Sequence, residues 1–205
     1  MSAGGPPREV RIIGGTWKRS KLPVANLPGL RPTPDRVRET LFSWLGGDLD
    51  GWRCLDAFAG SGALGFEAAS RGASHVTLVE REPKLLRGLE QVHARLKAGD
   101  QVRLTGGDAL SWMARQPADG FELVFVDPPF EADLFVKAVE AASRLAVAGG
   151  FVYLEADREF QAGDFPRARP LQRHRHGRAG AVHYHLFQRV EPGYTAAESP
   201  PKEPA

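Results

Sequence analysis

The chain has 205 residues, 42% hydrophobic and 25% charged, with a formal net charge of +2 at pH 7. This composition suits one globular domain with a sizeable core, and no run of about 18 apolar residues is present to cross a membrane. Cys54 is the only cysteine, which leaves no partner for an internal disulfide and no cysteine-rich zinc site. The start, MSAGGPPREV, lacks the apolar core of a signal peptide, so a reducing cytoplasm is the expected location. Charge is unevenly spread. Residues 1–50 carry +3, residues 51–157 carry −4, residues 158–189 carry +5 with four histidines, and the remainder carries −2. Basic flanks around a mildly acidic middle fit a central body that grips a polyanion, although solvated surface charge gives the same count.

In chain order, residues 1–9 read as a disordered tail, 10–50 as an extension, 51–190 as the main domain and 191–205 as a second disordered tail. Val10–Gly14 and Trp17–Leu22 flank a Gly-Gly-Thr turn and predict a small hairpin. Thr33 is placed to cap a helix with Pro34 at its first position and Asp35 in its first turn. That helix, to about Leu45, is expected to bury Val37, Leu41 and Trp44 or Leu45, with Arg36, Arg38 and Glu39 facing elsewhere. Cys54–Phe58, Val76–Glu80, Val102–Thr105, Leu123–Asp127 and Phe151–Glu155 are short apolar runs of the buried parallel type. Between them, Pro83 leads into Leu85, Leu89, Val92 and Leu96 at helical spacing, and Phe135, Val139, Ala142 and Ala146 repeat before a stop at Gly149-Gly150. Alternating strands and helices predict a doubly wound α/β sheet covered on both faces. Leu171–His176 and Val182–Gln188 then predict an antiparallel C-terminal hairpin closing that sheet.

The first strand runs into Asp56-Ala-Phe-Ala-Gly60-Ser-Gly62-Ala-Leu-Gly65, with Glu80 ending the next strand. The G-x-G-x-x-G pattern also fits a dinucleotide site, so NAD is an alternative. A pyrophosphate at the helix N-terminus gains nothing from an extra carboxylate, whereas Asp56 can pair with the ammonium of a methionine moiety. Glu80 can accept the ribose hydroxyls and Asp108 the adenine amine, which together point to S-adenosylmethionine. Phe58, Ser61, Arg81 and Ala109 flank these positions and join Gly60 and Gly62 in the expected cofactor set.

The fourth strand ends in Asp127-Pro128-Pro129-Phe130. Proline explains the end of a strand but not the acid and the aromatic around it. In an open α/β sheet this tetrapeptide falls at the ligand crevice. The lone pair of an exocyclic base amine is delocalised into the ring, which makes it a poor nucleophile. The Asp127 carboxylate and the Pro128 carbonyl can accept both its hydrogens and favour an sp³ nitrogen, while Pro128 and Pro129 hold that carbonyl rigid. Phe130 offers a stacking surface to a flipped-out base.

RIIGGTWKRSKLPV, GLRPTPDRVRETLFSWL, CLDAFAGSGALGFEAASRGA and LVFVDPPF, in that order over roughly residues 10–190, resemble the bacterial 16S rRNA guanine-N2 methyltransferase family that modifies guanine 966. The resemblance implies a class I methyltransferase fold with a seven-stranded, mostly parallel sheet, a monomeric enzyme, and 16S rRNA in the small ribosomal subunit or its assembly intermediate as substrate. It also implies that Asp127–Phe130 is the amine-methylation motif and that the N-terminal extension helps grip RNA. Trp17, Lys18, Arg19, Arg31, Thr33, Arg36 and Arg38 are the expected RNA contacts, the bland reading being an exposed hairpin with one packed tryptophan. His174, His176, His183 and His185 alternate on two neighbouring strands, but methyl transfer from a sulfonium needs no metal and none is assigned to them. Two other readings stay open: an amine methyltransferase acting on DNA adenine or a protein glutamine, and an inert RNA-binding or NAD-binding α/β protein.

Overall fold

A computed structural model describes residues 8–25, 33–129 and 132–191. The expectations for Arg31 and Phe130, and for most of the two tails, lie outside the described residues. No helix among the described residues is long and apolar enough to cross a membrane.

Two antiparallel strands, β1 (Arg8–Arg11) and β2 (Lys21–Val24), precede helix α1 (Asp35–Trp44). The main sheet is built from β3 (Arg53–Asp56), β4 (His75–Glu80), β5 (Val102–Gly106), β6 (Phe121–Val126), β7 (Ala146–Ala156), β8 (Leu171–Ala179) and β9 (Val182–Arg189). Its order is β5-β4-β3-β6-β7-β9-β8, parallel as far as β7 and antiparallel through the β8–β9 hairpin. Helices α2 (Ala63–Ser70) and α3 (Pro83–Leu96) share one core with α1, while α4 (Ala109–Ala114) and α5 (Ala132–Leu145) cover the other face. The order reverses between β3 and β6, which makes a crevice at the carboxyl ends of those strands. The fold expected from the alternating pattern is therefore present, including the terminal hairpin and the N-terminal extension.

Local physics moved several boundaries. The first tail is shorter than expected, because Arg8 and Glu9 pair with Val24 and Pro23. The small hairpin pairs further out than its Gly-Gly turn predicts. Ile13 and Gly14 donate to Glu67, and Thr16 donates to the Ser70 carbonyl, so residues 13–16 follow α2 instead of a partner strand. Thr33 does not cap α1: Pro34 holds the N-cap position, and the Thr33 hydroxyl donates to a buried Glu155 oxygen at 2.6 Å. Helix α5 ends at Leu145 rather than at the glycine pair, and β7 passes through Gly149 and Gly150 as an irregular segment opposite Phe121–Leu123. Helix α3 has the boundaries its pattern dictates, with Glu82 capping Lys84 N–H and Pro83 in the first turn.

The largest departure is Arg38, whose side chain is fully buried instead of facing solvent. Its guanidinium donates to the Arg11 carbonyl and Asp35 at 2.7 Å each, and to Glu67 at 3.3 Å. Glu67 is equally buried, and each of its oxygens accepts one backbone N–H and one arginine N–H, from Ile13 and Arg38 or from Gly14 and Arg71. This knot ties the extension to α1 and α2. A buried pair gains little over an apolar replacement, but removing one member strands the other in low dielectric. Glu67→Ala should therefore cost about 3–5 kcal/mol in urea unfolding; a loss under about 1 kcal/mol, the range of a surface pair, would show that the knot is not structural.

Candidate functional site

The crevice is lined by the loops that leave the carboxyl ends of the parallel strands. After Asp56, Ala57 N–H donates to the Phe125 carbonyl and Ala59 N–H to the Val79 carbonyl, so the loop is stitched to both neighbouring strands. Gly62 carries φ +77, and a Cβ there would lie 2.7 Å from both Leu89 and Phe66 side chains. Glycine is thus required twice over, by conformation and by space. Gly65 packs so tightly on β4 that a Cβ would sit 2.8 Å from Leu78 and 3.1 Å from Asp56 Oδ2.

Asp56 is buried, and its Oδ2 accepts Gly65 N–H at 2.9 Å, fastening the start of α2 to β3. Burial pushes its carboxyl up to about 7, against the Gly65 hydrogen bond and with added repulsion from Glu80. Glu80 is buried as well and accepts Gly60 N–H and Glu82 N–H, both at 2.8 Å. It therefore fixes the loop and the entry to α3 together. Asp108 is exposed and caps α4 through Ser111 N–H at 2.8 Å, which holds its carboxyl below the usual range. Phe58 and Ser61 are half-buried on the loop, Arg81 is exposed, and Ala109 is buried at the start of α4. A narrow cleft of about 30 Å³ separates Gly60 and Ser61 from Lys84, Leu85 and Gly88 of α3. A larger hollow of about 240 Å³, lined by Trp52, Glu122 and residues 147–151, lies at the amino ends of the strands, away from this chemistry.

Asp127 is the first residue after β6, with Pro128 buried and Pro129 exposed behind it. Register fixes where it points. Asp56 pairs with Phe125, and Phe125 pairs with Tyr153 across parallel strands. Asp127 and Glu155 are two residues beyond that row, so Asp56, Asp127 and Glu155 share one sheet face. The Asp127 carboxyl is raised well above the usual range by burial first, then by the charges of Glu155 and Asp56. Glu155 is raised by burial, against hydrogen bonds from Thr33 and Tyr153 and the charge of Arg38. Sequence reasoning placed Glu155 only as a strand end. The available signal was that VTLVE, LVFVD and FVYLE each close an apolar run with an acid.

The described residues assigned to RNA separate into three groups by burial. Lys18, Arg19 and Arg36 are exposed, and among the described residues none makes an ion pair. Trp17 is half-buried with its ring edge-on to Phe66 at 6.4 Å. Arg38 and Thr33 are buried and committed to internal partners, so neither has a surface to offer a phosphate.

The histidines do not form a surface row. His176, His183 and His185 stack, with centroids 4.7 Å apart for His176–His185 and 5.3 Å for His176–His183. One ring nitrogen from each lies within 4.8 Å of the others. His185 is fully buried, its Nε2 accepting Phe160 N–H and its Nδ1 facing the Leu154 carbonyl, and burial pushes it down to about 4. His174 stands apart, edge-on to Phe151.

Residues 10–188 match a family model described as "Conserved hypothetical protein 95". The chain is 43% identical over 193 residues to ribosomal RNA small subunit methyltransferase D of Escherichia coli, covering 93% of this chain and 95% of that one. It is 40% identical to the protein of the same name in Haemophilus influenzae, over 74% of this chain and 80% of the relative. A solved structure from Escherichia coli, described as a methyltransferase, superimposes with a TM-score of 0.76 at 41% identity, over 89% of this chain and 99% of its own.

Proposed function

This chain belongs to the family of the ribosomal RNA small subunit methyltransferase D proteins, and we propose that it methylates the exocyclic N2 amine of a guanine in 16S ribosomal RNA. The observation that carries this reading is the placement of Asp127-Pro128-Pro129 at the switch-point crevice, beside a glycine loop pinned by Asp56 and Glu80. S-adenosylmethionine, when bound, supplies an activated methyl group on a sulfonium cation.

The residues fit that group. Two buried acids, Asp56 and Glu80, suit an ammonium and a ribose diol, and a glycine loop with no room for Cβ lets backbone come close. Gly60, Ser61, Gly62 and Phe58 are assigned to the loop side of the cofactor, and Arg81, Asp108 and Ala109 to its adenine side. Asp56 and Glu80 each keep lone pairs beyond the backbone N–H groups they already accept.

Asp127 and the Pro128 carbonyl accept the amine hydrogens and hold the nitrogen in line for attack. The Pro128-Pro129 pair removes backbone freedom at the one point where a shift in the acceptor would misalign that nitrogen. After transfer the nitrogen is cationic and acidic, and its proton passes to Asp127 or to water. Phe130 is assigned to stacking on the base. Lys18, Arg19 and Arg36 are assigned to phosphates, in small-subunit RNA or an assembling particle, with the enzyme working as a monomer in the cytoplasm.

Asp127→Ala should leave folding and S-adenosylhomocysteine binding nearly intact while cutting turnover about 10²–10³-fold, the scale of losing one pre-organised polar contact. Full activity, or a loss of cofactor binding as severe as the loss of turnover, would remove Asp127 from the target amine. Changing Lys18, Arg19 and Arg36 together to Ala should weaken RNA binding and lower the slope of log K against log salt by about 2–3, roughly one per lost phosphate contact. Cofactor affinity should not change. An unaltered slope would take these residues out of the RNA interface.

A further inference from the structure

Beside Asp127 lies a second carboxylate that the transfer itself does not need. Glu155 follows Leu154, which pairs with Val126 on the neighbouring parallel strand, so Glu155 and Asp127 occupy the next position along two adjacent strands. Strands so paired are about 4.8 Å apart, within the width of one base edge. Both side chains project to the same sheet face, and the charge of Glu155 adds to burial in raising the Asp127 carboxyl. Glu155 is 4% exposed, and its Oε1 accepts both the Thr33 hydroxyl at 2.6 Å and the Tyr153 hydroxyl at 2.9 Å. Among the described residues no hydrogen bond reaches Oε2, nor is Oε2 among the sealed atoms that lack a partner. One oxygen is thus anchored while the other remains an acceptor at the crevice.

Base chemistry gives that acceptor a use. The guanine N2 amine is flanked by N1–H, a donor. The adenine N6 and cytosine N4 amines are flanked by ring nitrogens that accept. A carboxylate next to the amine-binding group would bind the first arrangement and repel the other two. We infer that Glu155 reads the N1–H of the target base and so sets the choice of guanine over adenine and cytosine. Thr33 and Tyr153 act as positioning residues, since their donors hold Oε1 and turn Oε2 toward the base. Thr33 also brings the N-terminal extension to the floor of the site, so the element assigned to RNA and the group that reads the base are fixed to each other. This inference rests on the functional reading above and adds its specificity.

The test replaces the target guanosine in reconstituted small-subunit particles by 2-aminopurine riboside, which keeps the 2-amine but presents N1 as an acceptor. Wild-type enzyme should lose at least about 10²-fold in kcat/KM, because a polar site built for a donor rejects an analogue without it. Glu155→Gln, whose amide can donate to N1, should lose activity on guanine while keeping or gaining activity on 2-aminopurine, so that the ratio collapses about tenfold or more. Thr33→Val should lower activity on both and leave the ratio nearer wild type. Glu155→Gln folding is checked by S-adenosylhomocysteine binding; if it does not fold, the wild-type ratio alone decides. Equal wild-type use of the two bases, or the same ratio in wild type and Glu155→Gln, would overturn the inference while leaving guanine methylation standing. No transfer to guanine at all would take down the functional reading and the inference together.

Discussion

Parallel strands that end at one edge of a sheet bring their terminal residues side by side, and in this protein four of those residues, Asp56, Glu80, Asp127 and Glu155, are acids on one face. Asp56, Asp127 and Glu155 cannot all hold negative charge in a poorly solvated crevice without a large electrostatic cost. Backbone and hydroxyl donors offset part of it: Gly65 N–H for Asp56, Thr33 and Tyr153 for Glu155. The rest is left for ligands. A cation with a base edge that offers hydrogen-bond donors is the chemistry such a crevice favours, and a sulfonium cofactor carrying an ammonium, beside a guanine amine, provides it.

The N-terminal extension is part of the same electrostatic arrangement rather than an appended arm. Glu67 gathers backbone N–H groups from Ile13 and Gly14 and guanidinium groups from Arg38 and Arg71, which seats the extension against α2. Arg38 then lends positive charge toward Glu155, and Thr33 bonds it directly. Exposed Lys18, Arg19 and Arg36 are consequently carried on a segment whose position relative to the crevice is set by buried ion pairs. Loss of a buried partner in this segment would reach the site through geometry, whereas loss of an exposed cation would leave that geometry in place.

The sheet was legible in the sequence because its parallel strands are buried on both faces and so read as unbroken apolar runs. Helix α3 was legible because cap, Pro83 and apolar spacing agree. The loop and the Asp127 motif were legible because glycine and proline impose conformations that few other residues tolerate. Local pattern said less where a residue's partner lies far along the chain. Thr33 reads as a helix cap until a carboxylate 122 residues away takes its hydroxyl. Arg38 lies two positions from exposed Arg36 and looks equivalent to it, yet Glu67 draws it into the core. His185 alternates with His183 like a surface row, but the Phe160 backbone covers it. Glu155 and Glu80 both end apolar strands, and only the order of the strands places Glu155 beside Asp127.

Crowded, buried carboxyls in the crevice hold protons that a bound cation should displace. Burial holds Asp56 at about 7 in the free protein, so near neutral pH it is partly protonated, and pairing with an ammonium must ionise it. Calorimetric titration of the free protein with S-adenosylmethionine at pH 7, in buffers of differing ionisation enthalpy, counts the protons exchanged. Net release is expected, with affinity falling as the pH is lowered from 8 to 6. Binding without proton exchange, or tighter binding at the lower pH, would show that these acids hold no proton for the cation to displace.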